Sequence, residues 1–230
     1  MVEAVIFDVD GTLVDSVDLH AQPWVEAFAK FGKQVGFSAV RSQIGKGGDQ
    51  LLPVFLTAKE RAQFGEQLEN FRTELFMREK LAQVRPFPQV RALFQALAER
   101  GIRRVLATSG KRAQLEHHVK LCEIADLVDA ATVREDADRS KPAPDVFVAA
   151  LGKLGRPDPA RVLCVGDTPY DAIAAGRAGL RTLGVLCGGF SPASLREAGA
   201  VALYQDPADL LSKLETSPVL ASGSQVQPGA

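Results

Sequence analysis

AVIFDVDGTLVDS, residues 4–16, decides how the rest of the chain is read. Ala4-Val5-Ile6-Phe7 is a short, apolar, β-rich run, the signature of a parallel strand buried on both faces. Asp8 and Asp10 follow at once with one residue between them, and Gly11 and Thr12 come next. A strand that ends in two acids and a glycine puts negative charge at the carboxyl edge of a sheet. That edge is where open α/β sheets bind ligands. Taken alone, Asp-x-Asp reads more readily as a polar strand end before a turn than as a catalytic pair.

The chain downstream changes character. Residues 17–34 carry Leu19, Trp24, Phe28 and Phe31 at near-helical spacing. Arg41 to Phe55 reads as two short helical pieces around Gly45-Lys46-Gly47-Gly48. Ala58 to Val84 is a charged, helix-favouring run with Phe64, Leu68, Phe71, Leu75 and Phe76 on one side. No convincing strand occurs between residues 16 and 84, so this stretch is expected to form a separate helical unit. Arg85-Pro86-Phe87-Pro88 punctuates the return. Strands and helices then alternate: helix 89–100 closed by Gly101, strand 104–107, helix 112–122, and a weaker strand near 127–131. Helix 144–154, strand 161–165, helix 171–178, strand 181–185, helix 192–197 and a last strand and helix complete the series. Alternation of this kind predicts a doubly wound, Rossmann-like parallel sheet with helices on both faces. The expected division is an α/β core over 1–15 and 85–216, a helical cap over 16–84, and a mobile tail over 217–230, which is rich in Ser, Gly, Pro and Gln.

Composition narrows the function classes. A formal net charge of −1 gives no electrostatic case for nucleic acid or an anionic membrane. Cys122, Cys164 and Cys187 form no CxxC pair, which suits a reducing cytosol. The first strand starts almost at Met1, leaving no room for a signal peptide, and no apolar run approaches the roughly 20 residues of a membrane helix. The expectation is a cytoplasmic protein.

Three further strand ends carry polar residues. In VLATSG, 105–110, Thr108 and Ser109 offer hydroxyls and Gly110 lets the backbone come close, making an anion site before the next helix. In SKPAPD, 140–145, Pro142 and Pro144 stiffen the segment and hold the Lys141 ammonium in place. In LCVGDTPYDAIAAGRAG, 163–179, Asp167 follows an apolar strand and Asp171 lies four residues on. Asp171 alone also reads as a helix N-cap. Asp167 and Asp171 with Asp8 make an oxygen-rich cluster that suits a hard divalent ion such as Mg²⁺.

In order and spacing, these four stretches resemble the four motifs of the haloacid dehalogenase-like superfamily. The resemblance extends to about Leu214. The helical insert right after the first motif is similar to the cap of subfamily I, which includes phosphoglycolate phosphatase and β-phosphoglucomutase. The resemblance implies Asp8 as nucleophile and Asp10 as general acid/base. It implies phosphate binding by Thr108, Ser109, Gly110 and Lys141. It implies Mg²⁺ held by Asp8, Asp167, Asp171 and the main-chain carbonyl of Asp10. The implied activity is Mg²⁺-dependent hydrolysis of a small phosphorylated metabolite through an aspartyl phosphate, with Asp8 ionised and Asp10 protonated in the first step.

Asp10 sets the chain apart from dehalogenases and from phosphonoacetaldehyde hydrolases, which lack an aspartate there. A phosphosugar mutase is the alternative. His20 stands where β-phosphoglucomutases carry a histidine, but the mutase loop carries an arginine and none occurs between Ser42 and Gln50. Lys46 in that loop is a candidate for gripping a substrate anion, or is simply solvated. Gly45-x-Gly47-Gly48 follows no strand and is no dinucleotide fingerprint, and His117-His118 is not at zinc spacing. A relative that only binds a phosphorylated ligand is the reading from another class; the full set of acids argues against it.

Overall fold

The computed structural model describes residues 1–220. The first strand, β1 (Ala4–Phe7), is buried along its whole length. Alternate residues serve opposite faces, as a period of two requires: Val5 and Phe7 join one apolar cluster, Ala4 and Ile6 the other. Two residues at Val14–Asp15, β2, pair antiparallel with Arg85–Pro86, β3. This small ribbon ties together the two ends of the helical segment. It was not expected from the sequence, where residues 85–88 read only as punctuation.

Between β2 and β3 lie α1 (Val17–Lys30), α2 (Phe37–Arg41), α3 (Gly48–Phe55), α4 (Ala58–Glu60) and α5 (Glu66–Leu75). π-helical turns at Arg61–Gly65 and Phe76–Lys80 flank α5. These helices bury a cluster of their own, including Trp24, Phe28, Val40, Leu51 and Leu68. Of the expected apolar side of the long run, Leu68, Leu75 and Phe76 are buried and Phe64 and Phe71 half-buried. Phe76 packs with the sheet's cluster rather than the helical one.

After β3 come α6 (Val90–Glu99), β4 (Arg103–Ala107), α7 (Arg112–Leu121), β5 (Ala130–Thr132), α8 (Asp145–Lys153), β6 (Val162–Gly166), α9 (Pro169–Arg177), β7 (Arg181–Val185), α10 (Pro192–Glu197), β8 (Ala200–Tyr204) and α11 (Pro207–Ser212). Gly101, at φ +70°, ends α6 as a C′ glycine should. The six long strands form one parallel sheet in the order β5-β4-β1-β6-β7-β8. Helices α6, α7 and α11 pack on one face through Leu93, Phe94, Leu115 and Leu210. Helices α8 and α9 pack on the other through Phe147, Ala150 and Ala174. The expected doubly wound α/β fold is therefore present. Strand order reverses beside β1, which puts the ligand crevice beyond the carboxyl ends of β1 and β6.

Two expectations are corrected. The weak strand is β5, which begins three residues later than expected and ends one residue later. Leu127 and Val128 are apolar because they pack against the core outside the sheet. The tail was expected to be mobile from residue 217, yet Ser217 and Val219 are buried and Val219 and Leu220 pack on the core. The Ser217 hydroxyl donates to the Leu214 carbonyl at 2.7 Å. Residues 221–230 lie outside the described residues.

Candidate active site

Asp8 leaves the end of β1 with its backbone N–H still bonded to Val165 of β6 at 2.9 Å. That bond fixes where its carboxylate starts. Lys141 Nζ donates to Asp8 Oδ1 at 2.5 Å and to the Ala107 carbonyl at 2.9 Å, and it lies 2.7 Å from Asp171 Oδ1. The Thr12 hydroxyl bridges Asp8 Oδ2 at 3.2 Å and Asp167 Oδ1 at 3.0 Å. Lys141 is 1% exposed, so its charge is offset by these carboxylates rather than by water.

Carboxylate oxygens of Asp8, Asp167 and Asp171 lie within 4.8 Å of one another. Asp167 Oδ2 is buried with no hydrogen-bond partner. A Cβ at Gly11 or Gly188 would collide with the Asp167 carboxylate, so two glycines cradle it. Hard oxygen donors, an orphaned buried oxygen and bare backbone around it fit a divalent cation. Asp171 differs from Asp167. Its Oδ2 accepts from the Thr168 N–H at 3.1 Å and hydroxyl at 2.6 Å, in a capping box where Thr168 is the N-cap and Asp171 the third helical residue. Helix α9 accordingly starts two residues before the expected position, and Asp171 is not the N-cap.

At the end of β4, the Thr108 hydroxyl accepts from the Gly110 N–H at 2.9 Å, which turns the backbone toward α7. The Ser109 hydroxyl is buried without a partner. Asp8, Asp10, His20, Lys46, Thr108, Ser109 and Gly110 all line one cavity of about 240 Å³, whereas Lys141, Asp167 and Asp171 support Asp8 from outside its lining. Lys46 donates to Gln43 Oε1 at 2.5 Å and stands 4.5 Å from the Tyr170 ring centroid.

Asp10 is the most heavily bonded acid. Its Oδ1 accepts from the Ser16 hydroxyl at 2.7 Å and lies 2.9 Å from His20 Nε2, 3.2 Å from Gln114 Nε2 and 3.4 Å from His118 Nε2. Arg72 Nη2, from α5, stands 2.6 Å from His20 Nδ1. A guanidinium only donates, so Nδ1 accepts and Nε2 carries the hydrogen that points at Asp10. The His20 ring stacks on Phe76 at 4.0 Å. Gln114, His118, Arg72 and Ser16 had no part in the expected site. Residues 114 and 118, four apart on the helix after the second motif, share a helix face; that spacing was the available signal.

Without a bound cation or phosphate, the protein's own groups raise the pKa of the Asp8 carboxyl and lower that of Asp10. Burial pushes the Asp8 carboxyl up, against the pull of Lys141 and with help from Asp171 and Asp10, to about 7. Burial also acts to raise Asp10, but His20 and His118 outweigh it and hold Asp10 well below the usual range. Asp167 is pushed well above its ordinary value by burial and by the charges of Asp8 and Asp171. Burial acts to lower Lys141, but Asp171 and Asp8 outweigh it and raise its pKa above the ordinary value.

A phosphorylated carbohydrate phosphatase of Thermotoga maritima is 27% identical over 217 residues, covering 93% of this chain and 98% of that one. A phosphonoacetaldehyde hydrolase of Bordetella pertussis is 29% identical over 202 residues, covering 81% of this chain and 73% of that one. The crystal structure of a hydrolase from Pseudomonas syringae superposes with a TM-score of 0.84 at 29% identity, covering 93% of this chain and 98% of that one. The family model described as haloacid dehalogenase-like hydrolase matches residues 5–185. With the acids gathered at the carboxyl ends of β1 and β6 in the same fold, this chain belongs to the haloacid dehalogenase-like hydrolase family.

Proposed function

We propose that the protein is a phosphatase that hydrolyses a small phosphorylated metabolite through an aspartyl phosphate on Asp8. The observation that carries this reading is the setting of Asp8. It stands in the cavity wall, gripped by Lys141 on one oxygen and Thr12 on the other, beside the orphaned oxygen of Asp167. A nucleophilic carboxylate needs a fixed direction and nearby positive charge to meet an anionic ester.

Asp8, Asp167 and, directly or through water, Asp171 would hold Mg²⁺, with the Asp10 carbonyl. When bound, the ion supplies the positive charge that favours ionised Asp8 and screens the phosphoryl oxygens. Ser109 and the Gly110 backbone would receive the phosphoryl oxygens, and Lys141 would neutralise charge behind the nucleophile. The negative charge of an arriving phosphate favours the neutral form of Asp10 and offsets the pull of its histidines. Protonated Asp10 then gives its proton to the leaving alcohol, and afterwards takes one from the water that attacks the aspartyl phosphate. Residues 16–84 would act as the cap that selects the substrate, with Lys46 reaching the leaving group. Phosphoglycolate and sugar monophosphates are the leading substrates, and the cytoplasm the expected compartment. Among the described residues no helix is long and apolar enough to cross a membrane.

A mutase is the second reading, and one observation favours it. The cap does bring an arginine, Arg72, to the cavity, from α5 rather than from the loop. The experiment that tests the phosphatase reading is phosphate release from a panel of phosphorylated metabolites, with Mg²⁺ and after chelation. Release from at least one, lost on chelation, is the expected result. No release from any substrate with Mg²⁺ present would overturn it.

A further inference from the structure

Two buried residues of α7 face Asp10, and the roles assigned above do not use them. Gln114 is 6% exposed and His118 is 1% exposed. Gln114 Nε2 lies 3.2 Å from Asp10 Oδ1 and 3.1 Å from Oδ2, so its amide spans the carboxylate. It also lies 3.1 Å from His20 Nε2 and 3.3 Å from His118 Nε2. His118 Nε2 is 3.4 Å from Asp10 Oδ1, while its Nδ1 is buried with no partner. His118 leaves one nitrogen orphaned and turns the other toward Asp10.

The two oxygens of Asp10 are not equivalent. Oδ1 is crowded by Ser16, His20, Gln114 and His118. Oδ2 has Gln114 as its one partner among the described residues. We propose that Gln114 and His118 are positioning residues that fix the plane of the Asp10 carboxyl, leaving Oδ2 as the oxygen that exchanges the proton. This rests on the phosphatase reading. As the bond from phosphorus to the leaving oxygen breaks, the proton on Oδ2 passes to that oxygen and Asp10 is left ionised. The donors on Oδ1 stabilise the ion so formed. Both residues come from the helix behind the second motif, so the sheet side of the cavity aims Asp10 alongside Ser16 and His20 of the helical segment.

The test is the ratio of kcat/KM for 2-phosphoglycolate to that for p-nitrophenyl phosphate, in wild type, Gln114→Leu and His118→Leu, with His118→Gln as a variant that keeps a donor. The alkoxide leaving group of phosphoglycolate needs the proton, and nitrophenolate leaves without it. A misaimed acid therefore lowers the ratio, by about 10-fold or more for Gln114→Leu, given that a misplacement of about 1 Å costs on the order of 100-fold. His118→Gln should recover part of the loss seen in His118→Leu. Should His118→Leu not fold, as its melting curve would show, Gln114→Leu carries the test alone. An unchanged ratio in folded Gln114→Leu overturns the role, whether both substrates slow together or neither does. A wild type that releases phosphate from neither substrate with Mg²⁺ fails the phosphatase reading itself, and the role falls with it.

Discussion

Asp8→Asn should destroy activity and stabilise the metal-free protein, and the stabilisation should grow with pH. Asp8 is 6% exposed and has Asp10, Asp167 and Asp171 as acidic neighbours against one ammonium, Lys141. Its carboxyl titrates at about 7 instead of 3.8. The folded protein therefore holds a proton that the unfolded chain releases above about 4. A raised carboxyl pKa means stability that is present at low pH and is lost as pH rises toward 7. At about 1.4 kcal/mol per pKa unit, full ionisation of Asp8 costs the fold on the order of 4 kcal/mol. Asparagine never ionises and escapes this cost. The charged hydrogen bond to Lys141 forms only as Asp8 ionises and is already contained in the value of about 7. In asparagine the amide oxygen still accepts from Lys141, and the 2.7 Å pair with Asp171 remains, so the pH dependence reports the ionisation. The advantage of Asp8→Asn over wild type should increase by about 2–3 kcal/mol between pH 5 and pH 8. That amounts to a relative gain in Tm of roughly 5–10 °C for a chain of this size. The assay is urea and thermal unfolding of both proteins in a chelator at the two pH values. An advantage that stays constant or shrinks as pH rises would refute the reasoning.

Three further outcomes follow from the same geometry. Mg²⁺ should raise the Tm of wild type at pH 8 but leave Asp167→Asn nearly unmoved, because Asp167 Oδ2 is buried without a hydrogen bond, whereas Asp171 Oδ1 is paired with Lys141; an equal Tm gain in both would remove Asp167 from the metal set. Lys46→Ala should raise KM several-fold with kcat nearly unchanged in steady-state kinetics, because Lys46 lines the cavity from the loop of the helical segment and would touch the leaving group rather than phosphorus. With β-glucose 1-phosphate, Mg²⁺ and a trace of β-glucose 1,6-bisphosphate, free phosphate should form faster than glucose 6-phosphate; the reverse order would make the protein a mutase.

Much of the fold was legible because burial on both faces leaves short apolar runs, and Ala4–Phe7, Val105–Ala107 and Val162–Val165 are such runs. The candidate site was legible for a related reason. A parallel sheet sends every strand end to one edge, so polar residues just beyond those runs must meet. Asp8, Thr108 and Asp167 are of this kind. Residues that reach the cavity from a helix carry no such mark. Arg72 lies 52 positions from its partner His20, and Gln114 lies 104 from Asp10. Each looks like an ordinary polar residue on an amphipathic helix. His118 was visible only as half of a pair with no zinc spacing. The ionisation order of Asp8 and Asp10 was equally hidden, since it depends on two histidines from different helices converging on one carboxylate.

The central claim is a phosphoryl group carried by Asp8, and chemical trapping tests it most directly. The enzyme would be quenched during turnover with Mg²⁺ and p-nitrophenyl phosphate, whose leaving group departs without a proton from Asp10, then treated with borohydride, which reduces an acyl phosphate to an alcohol. Peptide mass spectrometry would read the N-terminal peptide, and Asp10→Asn, which lacks the base for hydrolysis, would be run beside wild type to accumulate the intermediate. The account predicts homoserine at position 8, more of it in Asp10→Asn, and none without substrate. Turnover in wild type with position 8 unmodified in both proteins would contradict it.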